Sequence, residues 1–351
     1  MSFRTPLHLL VLLPCVSPGV GPTPATASEA ASVRECATCH PAQARPHPQT
    51  SMAHAMELPS ECAILKSHPL MTFKDGPYSY RIERKGDQSI YSVSDEHETI
   101  TFPIGWAFGL GFAGQTYVYE KDGEFYQSRV SYYKDTDGLD LTLGARNAKP
   151  ANLLQAAGLL MARDERVLCF RCHATDAADH MKLTLDKLIP GVQCERCHGA
   201  TQSHLEFVRH GHAKPARMED LHAFSSEQMS NFCGQCHRTW DEIAGSGITG
   251  VTNVRFQPYR LTNSKCYDAD DSRIRCTTCH DPHVELNRTD RDYDTKCQAC
   301  HAGGKKTAIA CKVGRTGCVT CHMPKVEIPG SHYKFTDHEI RIVRADAPYP
   351  N

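Results

Sequence analysis

Residues 276–280 read Cys-Thr-Thr-Cys-His, residues 297–301 read Cys-Gln-Ala-Cys-His, and residues 318–322 read Cys-Val-Thr-Cys-His. The same frame, two cysteines separated by two arbitrary residues and followed at once by a histidine, recurs upstream four times. Its copies are Cys36, Cys39, His40; Cys169, Cys172, His173; Cys194, Cys197, His198; and Cys233, Cys236, His237, and the copies quoted first end in His280, His301 and His322. With 18 Cys and 20 His in 351 residues, chance would supply about 0.05 copies. Positions i, i+3 and i+4 share one face of a helical turn. Two thiols on that face can add to the two vinyl groups of one haem while the imidazole meets the iron from the same side. The frame therefore predicts seven covalently bound haem c groups, held by Cys36, Cys39, Cys169, Cys172, Cys194, Cys197, Cys233, Cys236, Cys276, Cys279, Cys297, Cys300, Cys318 and Cys321. Structural zinc sites and disulfide frameworks also use paired cysteines, but neither requires a His after every second Cys.

The remaining cysteines are Cys15, Cys62, Cys266 and Cys311. Cys266 and Cys311 both lie shortly before attachment motifs and are the expected pair if one disulfide forms. Lys plus Arg (39) balance Asp plus Glu (40), so no basic field recommends nucleic acid as a partner. Residues 1–27 read as an export signal: Arg4 supplies the positive start, residues 7–13 an apolar core, and Ala25, Thr26, Ala27 a small-residue cleavage site. The expected location is extracytoplasmic, periplasmic in a bacterial cell, with a mature chain that is soluble or peripheral to a membrane.

Outward from the motifs the chain divides unevenly. Residues 28–70 hold the first motif, residues 71–147 form a β-rich insertion, and residues 148–351 hold the other six motifs. The insertion alternates apolar and polar residues at 78–84, 115–120 and 125–132, with Lys85, Gly86, Asp87 and Lys121, Asp122, Gly123 at the turns. Its Gly-rich centre at 105–114 carries Trp106, Phe108 and Phe112, read first as an aromatic packing corner and otherwise as a cover over a haem or the wall of a substrate pocket. After Pro150, Leu153, Leu154, Ala157, Leu160 and Met161 make an apolar helical stripe. Ser225 and Gln228 are spaced as a capping box opening a helix that would carry Cys233, Cys236 and His237. The C-terminal part has few aliphatic runs, so the expected fold is mainly α and irregular, packed around haems, with the β-rich part as a small addition.

Residues 194–199 followed by His204, the run Cys279, His280, Asp281, Pro282, His283, the run Cys321, His322, Met323, Pro324, and Thr336, Asp337, His338 resemble bacterial multihaem c-type cytochromes. The motif style is similar to the superfamily of pentahaem nitrite reductase and octahaem hydroxylamine oxidoreductase. The resemblance implies a haem scaffold shared by electron carriers and enzymes. Ammonia-forming nitrite reductases carry Lys for the motif His at the catalytic haem, whereas all seven motifs here end in His.

Twelve histidines outside the motifs and the export signal could ligate irons from the far side. The ordered candidates are His54, His204, His283, His338, His332, His180 and His68, with His54 expected on a helix after the first motif; His204, His283 and His338 also match the family pattern. Two imidazoles make a six-coordinate iron suited to passing electrons, whereas an open position suits binding a small molecule. The favoured function is an electron carrier relaying electrons through close-packed haems in a respiratory chain. Its redox protein partners would be a membrane quinol dehydrogenase or periplasmic or outer-membrane cytochromes. The alternatives are a reductase or oxidase of a small nitrogen or sulfur compound at one five-coordinate haem, and a docking or filament subunit of a larger assembly.

Overall fold

A computed structural model of the chain describes residues 29–199, 201–210, 220–302 and 311–344. The export segment, Cys15 and His212 lie outside the described residues. Among the described residues no helix is long and apolar enough to cross a membrane.

Strands dominate the first half. They are β1 (Met56–Glu57), β2 (Leu70–Asp75), β3 (Tyr78–Lys85), β4 (Gln88–Ser94), β5 (Thr99–Phe108), β6 (Gln115–Lys121), β7 (Glu124–Tyr133), β8 (Gly138–Leu141) and β9 (Gly158–Leu160). β2 to β8 pair antiparallel in sequence order, with β1 added beside β5 and β9 beside β7. The period of two decides which side chains point inward. Tyr80 and Ile82 of β3 face Val93 and Tyr91 of β4 across the ladder, and all four are fully buried. The hairpin turns match the local sequence: Asp122 (φ 54°) and Gly123 (φ 78°) join β6 to β7 in two residues of positive φ, the turn whose twist suits flanking strands. The ladder shifts register between Ile104 and Trp106 and between Thr116 and Val118. Such bulges sharpen local twist, and the sheet curls until β2 comes beside β8. Arg129 of β7, buried, reaches Asp75 of β2 at 3.2 Å and helps hold that seam.

This overturns the expected fold class. The chain is 35% helix and 24% strand, and its largest unit is a nearly closed, barrel-like antiparallel sheet. A mainly α and irregular fold with a minor β addition is therefore incorrect. The barrel also has a conventional protein core, in which Tyr91, Tyr117, Tyr119 and Val130 pack with Leu65 and Ala157. The helical stripe after Pro150 is cut short for a steric reason. A helix covers only Leu153–Ala157, because Gly158 passes so close to β7 that a Cβ there would lie 2.1 Å from the Gln127 carbonyl. The chain continues as β9, with Leu160 exposed.

The second half consists of short helices and loops with three two-stranded sheets, Ala174–Thr175 with Ile189–Pro190, Ala178–Asp179 with Lys182–Leu183, and Lys325–Glu327 with Lys334–Thr336. The capping box at Ser225 is complete: Gln228 N donates to Ser225 Oγ at 3.2 Å and Ser225 N donates to Gln228 Oε1 at 2.9 Å, opening the helix Ser226–His237.

Candidate haem-binding site

Each motif lies on a helix or at its end. The helices are Glu29–Cys39, Arg163–His173, Cys194–His198, Ser226–His237, Cys276–Cys279, Asp294–His301 and Cys318–His322, with His40 and His280 directly after the first and fifth. All described cysteines are free thiols, Cys266 and Cys311 included, so the bridge expected between these two is absent. Among the described residues no three His, Cys, Asp or Glu side chains converge as a metal cluster.

The structure brings three candidate histidines to motif histidines. The ring centroids of His40 and His204 are 6.5 Å apart, those of His198 and His283 6.1 Å, and those of His280 and His338 6.2 Å. Two metal–nitrogen bonds of about 2 Å plus the half-width of each ring put two imidazoles on opposite sides of one metal about 6 to 6.5 Å apart. The partners do not follow sequence proximity. His283 stands three residues after His280 yet faces His198, and His204 faces His40.

The protonation state suits ligation. Burial pushes the imidazoles of His173, His198, His237 and His280 below the ordinary histidine value, and that of His338 down to about 4. Four rings present Nδ1 to oxygen at 2.9 Å: His173 to Ala55, His322 to Arg341 and His338 to Thr336 carbonyls, and His283 to the Asp281 carboxylate. A carbonyl oxygen has no proton to give, so Nδ1 donates. In a neutral ring that leaves the Nε2 lone pair for a metal.

Thiols of different motifs meet. The thiols of Cys36 and Cys194, Cys172 and Cys236, Cys233 and Cys276, and Cys297 and Cys318 lie close enough to shift one another's acidity. Burial pushes Cys169 up to about 11 and Cys194 up to about 12. Arg196 ties the third motif to the fourth, donating to Gln235 Oε1 at 3.4 Å and approaching Cys236 Sγ at 3.8 Å. Arg171 and Arg238 lie beside Cys172, so cationic groups gather between the motifs.

The other candidates sit with oxygen partners. His54 lies in a turn rather than on the expected helix, and its nitrogens contact Glu57 Oε1 at 2.9 Å and the Pro48 carbonyl at 2.8 Å. His68 contacts Asp137 at 3.0 Å with its ring tilted against Tyr132, and His332 contacts Asp140 at 2.7 Å beside Tyr133. His180 is exposed, 3.7 Å from Asp179. Sequence reasoning passed over His47, a buried ring in a short turn between Pro46 and Pro48 whose Nδ1 has no hydrogen-bond partner. No spacing rule marks it. The aromatic corner divides: Trp106 and Phe108 pack edge-on against Phe170, inside the second motif, and Phe108 reaches the His173 ring at 5.5 Å. Phe112 instead lies between the cations of Lys134 and Arg288.

Residues 133–199, which include the second and third motifs, match the family described as cytochrome c554 and c-prime. The match supports a multihaem c-type cytochrome: covalently bound haem c as cofactor, electron transfer as its work, and redox proteins as partners. No curated protein matches the chain. The solved structure of the outer cell wall cytochrome OcwA is similar over 58% of this chain at 16% identity, with a TM-score of 0.32. The chain spans 36% of the length of OcwA.

Proposed function

We propose that this chain is an extracytoplasmic heptahaem c-type cytochrome that relays electrons between redox proteins. The observation that carries the proposal is the set of three imidazole pairs, His40 with His204, His198 with His283 and His280 with His338, at the separation two axial ligands require. The residues fit the group: free thiols at i and i+3 on helices, a buried imidazole kept neutral at His338, and the cations of Arg171 and Arg238 beside Cys172, which would offset propionate charge. Bound there, haem c supplies one-electron oxidation and reduction.

The chain's own residues do the rest. The fourteen motif thiols would tether haem, the seven motif imidazoles would ligate it, and His204, His283 and His338 would supply the second imidazole beside His40, His198 and His280. The Nδ1 bonds of His283 and His338 orient those rings. Neighbouring thiols link the first motif to the third, the second to the fourth, the fourth to the fifth and the sixth to the seventh, and Cys197 beside Cys236 and Cys279 beside Cys297 join these into one series, which supports a relay. Export through the segment 1–27 supports an extracytoplasmic site of action, and the partners are proposed as a membrane quinol dehydrogenase or other exported cytochromes.

The test is an electron paramagnetic resonance spectrum of the oxidised protein with a denaturing mass measurement. Seven haem masses and low-spin irons are expected. A high-spin iron that binds and turns over a small nitrogen or sulfur compound would replace the relay with a reductase or oxidase.

A further inference from the structure

We propose that the buried Arg260–Asp337 ion pair is a positioning device that sets His338 opposite His280, and so tunes the ligation of the fifth motif. The proposal rests on the haem reading. Arg260 belongs to the short helix Gln257–Thr262, and both it and Asp337 are fully buried. Its guanidinium forks onto the carboxylate, Nε to Oδ1 at 2.9 Å and Nη2 to Oδ2 at 3.0 Å. Nη2 also lies 2.6 Å from Glu339, and Arg341 donates to Asp337 Oδ2 at 2.5 Å. Two cations and two carboxylates thus make a locally neutral cluster.

The backbone on both sides of His338 is held by the same region. Asp337 N donates to the Pro324 carbonyl at 2.9 Å, just past the seventh motif. Ser264 Oγ donates to the His338 carbonyl at 3.0 Å and accepts from Ile340 N at 2.8 Å. The His338 ring, its Nδ1 occupied by Thr336, is left facing His280 at 6.2 Å. The device also touches the seventh motif, where the Arg341 carbonyl accepts from His322 Nδ1 at 2.9 Å. A buried ion pair is a poor source of stability beside apolar residues of the same volume. What the planar fork adds is direction, which Lys cannot reproduce.

The experiment compares holoprotein carrying Asp337→Asn, Arg260→Lys, His338→Ala, and Asp337→Asn with His338→Ala. Covalent haem mass should stay at the wild-type value, because thioether bonds do not depend on the distal ligand. Asp337→Asn and, less completely, Arg260→Lys should convert one low-spin iron to high spin, with added imidazole restoring it. His338→Ala should show the same single conversion, and the double variant no more. An unchanged low-spin spectrum in both clamp variants overturns the proposal, as does a change that adds to that of His338→Ala or spreads over several irons. Absence of haem mass in the wild type would fail the haem reading instead. If Asp337→Asn does not fold, the Arg260→Lys spectrum decides.

Discussion

The imidazoles of His198 and His283 stand 6.1 Å apart with their planes 10° from parallel. His198 closes the third motif, whereas His283 follows the fifth, so this ring pair brings the two motifs together. His283 is held in that pose by its own turn, where Asp281 Oδ1 accepts from both its backbone N and its Nδ1 at 2.9 Å.

Replacing His283 by Ala should open one iron. One low-spin signal should be lost, a high-spin signal gained, and cyanide or imidazole should bind that iron rapidly. An oxidised spectrum identical to wild type would show that His283 is not an axial ligand.

Haem content is the simplest measurement. Protein made with haem maturation in an exporting host should retain seven haem masses after denaturation, and Cys194→Ser with Cys197→Ser should retain six. The double variant should also lose stability in its second half, since the thiol contact from Cys36 to Cys194 and the His198–His283 pair both end on that helix. A wild-type mass short of seven haems would revise the count.

The barrel should respond separately from the haem region. The buried Tyr91 hydroxyl donates to the Ala157 carbonyl at 2.8 Å. Tyr91→Phe leaves that carbonyl without its donor and should cost about 1 to 2 kcal/mol. Denaturant unfolding followed by tyrosine fluorescence should show the loss, while the visible spectrum of the native variant stays unchanged.

In the haem-free chain, on which urea midpoints are compared, acid should destabilise the fold through its buried imidazoles. His338 falls to about 4 in the folded chain, and His173, His198, His237 and His280 are also lowered by burial. Between about 4 and the unfolded value near 6.5, the unfolded chain binds protons that the folded chain does not. The stability carried by His338 is therefore complete above about 6.5 and is lost as pH falls toward about 4. Urea midpoints at pH 7.5 and pH 5 should differ in that direction, and equal midpoints would contradict it.

Removing one side of the buried clamp should be costly. Arg260→Met leaves Asp337 buried beside Arg341 without its main counter-charge and should destabilise by about 3 to 5 kcal/mol. Arg260→Met combined with Asp337→Leu should recover part of that loss in the same denaturant titration. A single variant as stable as wild type would show that the pair does not carry the contact.

What the sequence determined by itself was chemistry that fits inside a helical turn. Two thiols and an imidazole at i, i+3 and i+4 need no distant residue to be recognised, so all seven Cys-x-x-Cys-His frames were legible. So were the Ser225 capping box and the Asp122–Gly123 turn, whose geometry is likewise settled by neighbours in the chain. The fold class was not legible. Alternation marks individual strands, but whether hairpins lie flat or curl toward closure depends on bulges at Gly105 and near Tyr117 and on the Arg129–Asp75 contact across the seam. Which histidines come to stand beside which motif histidines was equally hidden. His204, His283 and His338 could be ranked as ligands, yet spacing offers no way to assign His283 to His198 rather than to its neighbour His280. That choice belongs to tertiary packing, because an imidazole takes its partner from whatever the rest of the fold holds about 6 Å away, and a hold such as Arg260 on Asp337 joins residues that only the folded chain brings together.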